Sequence, residues 1–160
     1  MLGVSETTAQ LFLEAKDKAF PGLLPHVREY TELCRQRRYS TTRGGARRHL
    51  AKMYGMARSD YDLGKVDRLA WSYRIQGAGA EQVKLAMARL WRSGIYKNKE
   101  VILFVCVHDE LVHQIKDDKL ADLVPIITKI VCQEYAGMVI PAESTPEVGK
   151  NFGALKEFKF

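Results

Sequence analysis

Apolar and polar residues alternate with the period of an α-helix over the first part of the chain. Ser5 is a favourable helix N-cap, and the apolar positions after it recur at helical intervals to about Phe20, where a Pro-Gly pair stops the pattern. A second segment of this kind runs from about Leu23 to Arg37, with Pro25 in its first turn. These positions predict two consecutive helices.

The next segment, RRYSTTRGGARRHLAKMYG at 37–55, is basic and interrupted by glycines, and its apolar residues follow no helical period. It predicts a loop with a short strand. Helical spacing resumes near Gly64 and continues towards Arg74. A further apolar face, from about Gly79 to Arg92, predicts another helix.

The second half of the chain begins with β-branched and aromatic residues. The run EVILFVCV ends at the polar corner His108-Asp109-Glu110, and an apolar alternation from Leu111 to Ile115 follows. Two apolar strands joined by a tight corner predict a β-hairpin. A two-residue turn favours Asn-Gly or Asp-Gly, and Glu after Asp is not a turn signal, so the corner requires another explanation.

After the hairpin, Asp117 or Asp118 is a suitable cap for an amphipathic helix. Pro125 lies well inside the apolar pattern, which predicts either a kink or a later helix start. The segment from Met138 to Val148 has strand character, but its prolines limit it to an edge strand at best. The whole pattern predicts an α+β fold, in which helices come first and a small antiparallel sheet backed by helices follows.

The 160 residues are enough for one domain or for a large piece of a bigger one. No apolar run approaches the roughly 18 residues of a membrane helix, and the N-terminus has no secretory signal pattern. The cysteines Cys34, Cys106 and Cys132 have no metal-ligand spacing, and any disulfide scheme leaves one unpaired. We therefore expect reduced, buried thiols in a cytoplasmic protein that makes no membrane contact.

Positive charge is concentrated in one part of the chain. The formal net charge is +6, and 12 of the 25 Lys and Arg residues lie between Arg28 and Arg74, where only five acidic residues occur. Such an excess fits contacts with nucleic-acid phosphates, which neutralise charge without reading sequence. A solvated, arginine-rich surface is the alternative interpretation.

The acidic corner suits a metal ion. Mg²⁺ prefers oxygen ligands and is usually held by one or two carboxylates, with substrate phosphates completing its shell. An aspartate at the tip of a hairpin is exposed, and the strands beneath it fix its position. Asp109 is therefore a candidate ligand for a catalytic Mg²⁺.

Four segments carry a family resemblance. They are VHDE at 107–110 between two apolar strands, RLAWSYRIQGAGAEQVKLAM at 68–87, GKNFGALKEF at 149–158 and LGVSETTAQLFLEAKDKAFPGL at 2–23. The first is similar to motif C of the family A DNA polymerases, the bacterial polymerase I class. The second resembles that family's Arg-x-x-x-Asn-x-x-x-Gln-Gly-x-x-Ala-Asp-x-x-Lys-x-Ala pattern, the third its terminal Gly-x-x-Trp-Gly-x-Leu-x-x-Phe, and the fourth a stretch of its fingers.

The resemblance implies a role for each matching residue. Asp109 would be one of the two metal-binding aspartates of the palm, and Glu110 a neighbouring carboxylate of lesser weight. His108 would contact the terminal nucleotide of the primer. Arg68 and Gln76 would donate hydrogen bonds in the minor groove of the primer–template end, where every correct base pair offers acceptors. Without the resemblance, Gln76 could be part of a helix cap, Arg68 a surface cation and His108 a turn residue.

The chain departs from the family pattern at three matched positions. Ser72 stands where the family has Asn, so one minor-groove contact is shortened or lost. Glu81 replaces Asp, and Phe152 replaces Trp. The basic segment GGARRHL only approximates the family's Thr-x-x-Gly-Arg-x-Arg, so Arg47 and Arg48 receive no individual role.

The family's motif A, with the second metal-binding aspartate, and its motif B, which grips the incoming dNTP, have no match in this sequence. The resemblance therefore implies the C-terminal subunit of a split polymerase, with fingers-derived helices and a basic loop at 1–62 and a palm segment at 63–160. We expect a second chain that carries both motifs, a two-metal Mg²⁺ site shared with it, and primer–template DNA and dNTP as substrates. A bacteriophage, whose proteins act in the host cytoplasm, is where we most expect such a division. A non-catalytic DNA-binding remnant and an excised fragment of an intact polymerase are the alternatives.

Overall fold

The fold begins with two consecutive helices in the computed structural model, which describes Gly3 and residues 5–160. Helix α1 spans Glu6–Ala19, and the Thr8 amide donates to the capping Ser5 Oγ at 3.1 Å. Helix α2 spans Leu23–Arg37, so both predicted helices are confirmed. No described side chain of α1 is buried, although its sequence is amphipathic. The first positions of the fingers-like segment, Leu2 and Val4, lie outside the described residues.

A short hairpin and a short helix follow. Strand β1 (Tyr39–Thr41) pairs antiparallel with β2 (Arg47–His49). The sequence predicted a loop with one short strand here, and the structure has two. Helix α3 (Ala51–Met56) was not predicted. It is held by long-range packing, because Leu50 and Tyr54 are buried in a core cluster with residues of α2. A segment without apolar periodicity cannot reveal such anchoring.

Helix α4 is a single helix, Asp60–Ser93, where the sequence predicts two. It starts earlier than predicted, and the Asp62 amide donates to Ser59 Oγ at 3.2 Å. The predicted interruption before Gly79 is wrong. Each glycine inside a helix costs about 1 kcal/mol, but α4 buries residues on both sides of this segment, and that burial offsets the cost. These residues are Val66, Ala70, Ala86 and Leu90.

Replacing Gly79 by alanine should raise the free energy of unfolding by about 0.8–1 kcal/mol. Gly79 lies inside α4, and a Cβ built on it meets no atom within 4 Å. Urea denaturation of the two chains measures the change. Gly94 is the matched control, because its φ of +76° and its contact with Lys97 make Gly94→Ala destabilising. A Gly79→Ala chain no more stable than wild type would contradict the continuous helix.

The second sheet is the predicted hairpin. Strand β3 (Val101–Val107) pairs antiparallel with β4 (Glu110–Ile115), and the base of the hairpin packs in a core cluster with Leu90 of α4 and Ile127 of α5. Helix α5 spans Leu120–Val131 after a 3₁₀ turn at Asp117–Lys119. Pro125 lies inside α5, so the predicted later start is wrong.

The predicted cap of α5 is also wrong. Lys119 occupies the N-cap position, and no side chain caps the helix there. The Asp117 carboxylate instead forms an ion pair with the Lys150 ammonium group. The predicted strand at 138–148 is reduced to its last two residues, because β5 (Glu147–Val148) begins only after the prolines and pairs antiparallel with β6 (Lys156–Glu157).

The chain divides into two compact units, 1–75 and 76–160, and α4 runs from the first into the second. Helices dominate the first unit, and the second adds the β3–β4 hairpin, so the predicted α+β class is confirmed. The division into fingers-derived and palm segments stays a prediction. Within the described part of the chain, no helix has the length and hydropathy that a membrane crossing needs. Cys34 is buried as expected, but Cys132 is half-buried and the Cys106 thiol is exposed.

Candidate metal-binding and nucleic-acid-binding residues

The acidic corner forms the tip of the β3–β4 hairpin. His108 and Asp109 make the turn, and Glu110 is the first residue of β4, opposite Val107. His108 has a φ of +54°, a left-handed conformation that histidine adopts more readily than most residues. His108, Asp109 and Glu110 are all exposed. Among the described residues, no hydrogen bond or ion pair engages the Asp109 carboxylate.

The base of this hairpin is firmly held. Val101 is buried in the core, and the Lys116 amide donates to the Glu100 carbonyl at 3.0 Å, which closes the strand pair. The His113 ring stacks on Tyr96, and its Nε2 lies 3.0 Å from the Tyr96 hydroxyl oxygen. Burial lowers the pKa of His113, which favours the neutral form of the ring. The hairpin therefore presents Asp109 on a rigid support.

One edge of the hairpin is apolar and exposed. The register shifts at Phe104, which has no cross-strand partner and is 70% exposed. Ile102, Val105 and Val107 of the same strand are also exposed. Over the described residues, β3 pairs with β4 alone, so its other edge carries unpaired backbone groups. Exposed apolar edges of this kind are sites of association with another strand.

The residue types at the tip fit a hard divalent cation in part. The Asp109 carboxylate supplies oxygen ligands, which Mg²⁺ prefers, and Glu110 follows it directly. In the part of the chain that the structure describes, however, no group of three or more His, Cys, Asp or Glu side chains could hold a metal ion. Further ligands must come from substrate phosphates or from other protein residues.

Helix α4 carries the three predicted minor-groove residues at intervals of four. Arg68 and Gln76 are exposed and Ser72 is half-buried. Arg68 and Ser72 are four residues apart and share a helix face in the first unit, and Gln76 is the first residue of the second unit. Gln76 lies inside α4, so the helix-cap interpretation of this residue is wrong.

Arginine–tyrosine contacts that the sequence pattern does not predict surround the β1–β2 hairpin. The guanidinium carbons of Arg37 and Arg47 lie 4.7 Å and 5.0 Å from the centroid of the Tyr39 ring. Arg48 lies 5.7 Å from the Tyr73 ring. Arg47 meets Tyr39 only through the pairing of β1 with β2, and Arg48 meets Tyr73 across 25 positions of sequence, so only the frequency of Arg and Tyr in 37–74 could have indicated the cluster.

The arginines of this region serve two purposes. The Arg35 Nε donates to Asp67 Oδ1 at 3.0 Å, and this hydrogen bond raises the pKa of Arg35. Arg37 donates to the Tyr39 carbonyl at 2.8 Å and to Thr41 Oγ1 at 3.2 Å. Both guanidinium groups therefore stabilise the fold.

Arg47 and Arg48 are different, since both side chains are exposed. No ion pair to an acidic residue engages either of them within the described ranges. Their guanidinium groups stack on tyrosine rings while their N–H groups stay accessible, which is the arrangement that phosphate oxygens recognise. The structure thus separates these two arginines from those that hold the fold together.

Comparison with known proteins identifies the chain's relatives. The profile of DNA polymerase family A matches residues 1–154. The chain belongs to this family. DNA polymerase I of Chloroflexus aurantiacus is 26% identical over 154 residues, 96% of this chain and 16% of that protein. The thermostable DNA polymerase I of Thermus aquaticus is 26% identical over 156 residues, 98% of this chain and 18% of that protein.

A solved structure shares the fold of this family A chain. The POL domain of Pol1 from M. smegmatis, in a complex with DNA primer-template and dNTP, matches with a TM-score of 0.77 and 22% identity, over 89% of this chain and 24% of that one. The resemblance stated from the sequence motifs is therefore confirmed at the level of the family and the fold. The chain spans less than a fifth of the length of the curated relatives described above.

Proposed function

We propose that this chain is the C-terminal subunit of a split family A DNA-directed DNA polymerase. It contributes one metal-binding aspartate and the minor-groove contacts of the primer–template end, and a second chain carries motifs A and B. The observation that carries the proposal is the exposed Asp109 carboxylate at the tip of a hairpin whose base is packed in the core, where the described residues supply too few ligands for a complete metal site.

Asp109 would hold Mg²⁺ with one or both carboxylate oxygens, and Glu110 would add negative charge beside it. When bound, two Mg²⁺ ions neutralise the charge that develops on the phosphate in nucleotidyl transfer. The residues of this chain orient the reactants. The hairpin base keeps the Asp109 side chain in place, and His108 lies next to it in the turn, where it would contact the terminal nucleotide of the primer.

The face of α4 would lie along the minor groove. Purine N3 and pyrimidine O2 accept hydrogen bonds there at every correct base pair, so donors on the protein sense pair geometry without reading sequence. Arg68 and Gln76 are exposed side chains that can donate hydrogen bonds. The shorter Ser72 side chain would make a weaker contact, or one through water. A primer–template DNA and a dNTP are bound by the M. smegmatis relative, and we propose the same substrates here.

Arg47 and Arg48 would contact phosphates of the same DNA. Their accessible N–H groups and the surplus of positive charge in 28–74 support this role. Phosphate contacts add affinity and fix the register of the protein on the duplex, while they leave sequence unread. An enzyme that copies any template needs DNA contacts that do not depend on the base sequence.

Replacing Gln76 by alanine in the assembled polymerase should slow primer extension by about tenfold and narrow the difference between matched and mismatched primer ends. The donor that senses pair geometry is lost, and a lost hydrogen bond to a base edge is worth about 1–3 kcal/mol. Single-turnover extension of matched and mismatched primers measures both effects. Gln36 is the control, because it is an exposed glutamine on α2.

A Gln76→Ala enzyme that extends matched primers at the wild-type rate would contradict the minor-groove role. Gln36→Ala should leave both rates unchanged. Comparison of the two variants separates the loss of a specific donor from the general effect of losing a glutamine on an exposed helix face.

A non-catalytic DNA-binding module is the second candidate, because the described residues hold a basic surface but no complete metal site. Phosphate binding alone needs neither Asp109 nor His108, so their presence at the hairpin tip favours the polymerase. Co-purification with a candidate partner followed by a primer-extension assay distinguishes the two. A partner that binds without conferring synthesis would favour the binding module.

A further inference from the structure

The Tyr30 hydroxyl group is the centre of a buried network in the first unit. Tyr30 is 5% exposed. Its hydroxyl oxygen accepts from the Thr41 amide at 2.9 Å, and the Thr41 carbonyl accepts from the hydroxyl at 2.8 Å. Ser40 Oγ lies 2.8 Å away, and the Arg37 guanidinium donates to the same oxygen at 3.2 Å. A single side chain of α2 thus hydrogen-bonds the backbone of Thr41 and contacts the hydroxyl group of the neighbouring Ser40.

The two residues of β1 that Tyr30 holds are those opposite the accessible arginines. In the β1–β2 register, Thr41 pairs with Arg47 and Ser40 pairs with Arg48. The network also reaches α4, because Ser40 Oγ donates to the Ala70 carbonyl at 2.7 Å. A hydroxyl that holds β1 in place therefore determines where β2 presents its two guanidinium groups.

The ring of Tyr30 has a separate role, which is packing. Arg74 lies 4.4 Å from the ring centroid, and the Trp71 ring contacts it edge-on at 5.9 Å. A phenylalanine ring would keep these contacts. The hydroxyl makes the hydrogen bonds to β1, so the two roles can be separated by a single substitution.

We propose that Tyr30 is a positioning residue for phosphate binding. Its hydroxyl group sets the β1–β2 hairpin so that Arg47 and Arg48 can each contact a phosphate of the primer–template duplex. This inference rests on the proposed function, since it requires that the two arginines contact DNA.

Tyr30→Phe should weaken binding of a fluorescent primer–template duplex by about fivefold and reduce the slope of log K against log salt by about one, as expected for one lost phosphate contact. Fluorescence anisotropy of the full chain between low and moderate KCl measures both quantities. Tyr61→Phe is the matched control, because Tyr61 is an exposed tyrosine of the same unit. A purely structural role would lower the unfolding temperature and leave the salt slope of the folded chain unchanged.

A double-mutant cycle gives the decisive comparison. If Tyr30 acts through the arginines, Tyr30→Phe should have no further effect on DNA affinity in a chain that already carries Arg47→Gln and Arg48→Gln. Additive losses would overturn the inference. If the arginine substitutions leave affinity unchanged, the proposed phosphate contacts themselves fail, and if only Tyr30→Phe is without effect, the positioning role fails alone. Should Tyr30→Phe not fold, Ser40→Ala, which removes another hydrogen bond of the network, enters the same cycle with the same expected losses and the same overturning result.

Discussion

Replacing Asp109 by alanine in the assembled polymerase should lower the rate of nucleotide incorporation by about a thousandfold or more, or about 4 kcal/mol of activation free energy. In-line phosphoryl transfer between two metal ions needs ligands that place both the attacking and the leaving oxygen. The Asp109 carboxylate is the exposed ligand that this chain offers at the hairpin tip. A single-turnover incorporation assay at saturating dNTP measures the effect.

The substitution should leave folding and DNA binding nearly unchanged, because Asp109 lies in an exposed turn outside the core clusters. Asp118→Ala is the control, since Asp118 is also an exposed aspartate, in the 3₁₀ turn before α5. Activity of Asp109→Ala within about tenfold of wild type would refute the assignment. A large loss of DNA affinity would indicate a binding role in place of metal ligation.

The sequence predicted those elements whose signals are local. The bounds of α2 follow from a proline in the first turn and a basic last turn, and the β3–β4 hairpin follows from two apolar strands around a polar corner. Local signals fail where distant packing decides. Gly79 lowers helix propensity, but α4 continues because Leu90 and residues before Gly79 are buried. The predicted cap by Asp117 or Asp118 shows the same limit, since both residues lie in a short 3₁₀ turn and neither caps the helix.

The candidate site shows the same division between features with local signals and features that depend on packing. Asp109 stands at a corner that turn chemistry does not explain, whereas Arg68 and Gln76 were indicated only by the family resemblance, because Gln76 lies between the two helices that the sequence predicts. The Tyr30 network has no local signal, because its hydroxyl meets Thr41 only after α2 and β1 pack together. The net charge of the sequence fits nucleic-acid binding. Which arginines stabilise the fold and which remain accessible is decided by hydrogen bonds and ring contacts that form only in the folded chain.

The chain alone should not extend primers, and it should associate stably with a second polypeptide that carries motifs A and B. A lone Asp109 would bind Mg²⁺ weakly, because one carboxylate compensates poorly for the dehydration of that ion. On the proposed function, the exposed edge of β3 is where that second chain would bind. Beside it lies an apolar groove of about 490 Å³, lined in part by Trp91, Tyr96 and Ile102, and Trp91 is 75% exposed.

An interface that covers this edge and groove should be obligate in character and bury about 2,000 Å² or more. Purification of the chain with and without the candidate partner, followed by light scattering and primer extension, tests the association. Phe104→Lys should weaken it strongly, because a charge would be buried beside the strand edge. Val139→Lys is the control, since Val139 is 97% exposed and lies outside both sheet and groove.

A monomer that extends primers by itself would refute the split active site, because the second set of metal ligands would then have to come from this chain. If Phe104→Lys and Val139→Lys change the association with the partner equally, the partner does not bind at the edge of β3. The expected result is an inactive, association-prone chain whose activity appears only with the partner. We expect that result because the base of the hairpin that carries Asp109 is packed in the core, while among the described residues its tip lacks the ligands of a complete metal site and its outer edge pairs with no other strand.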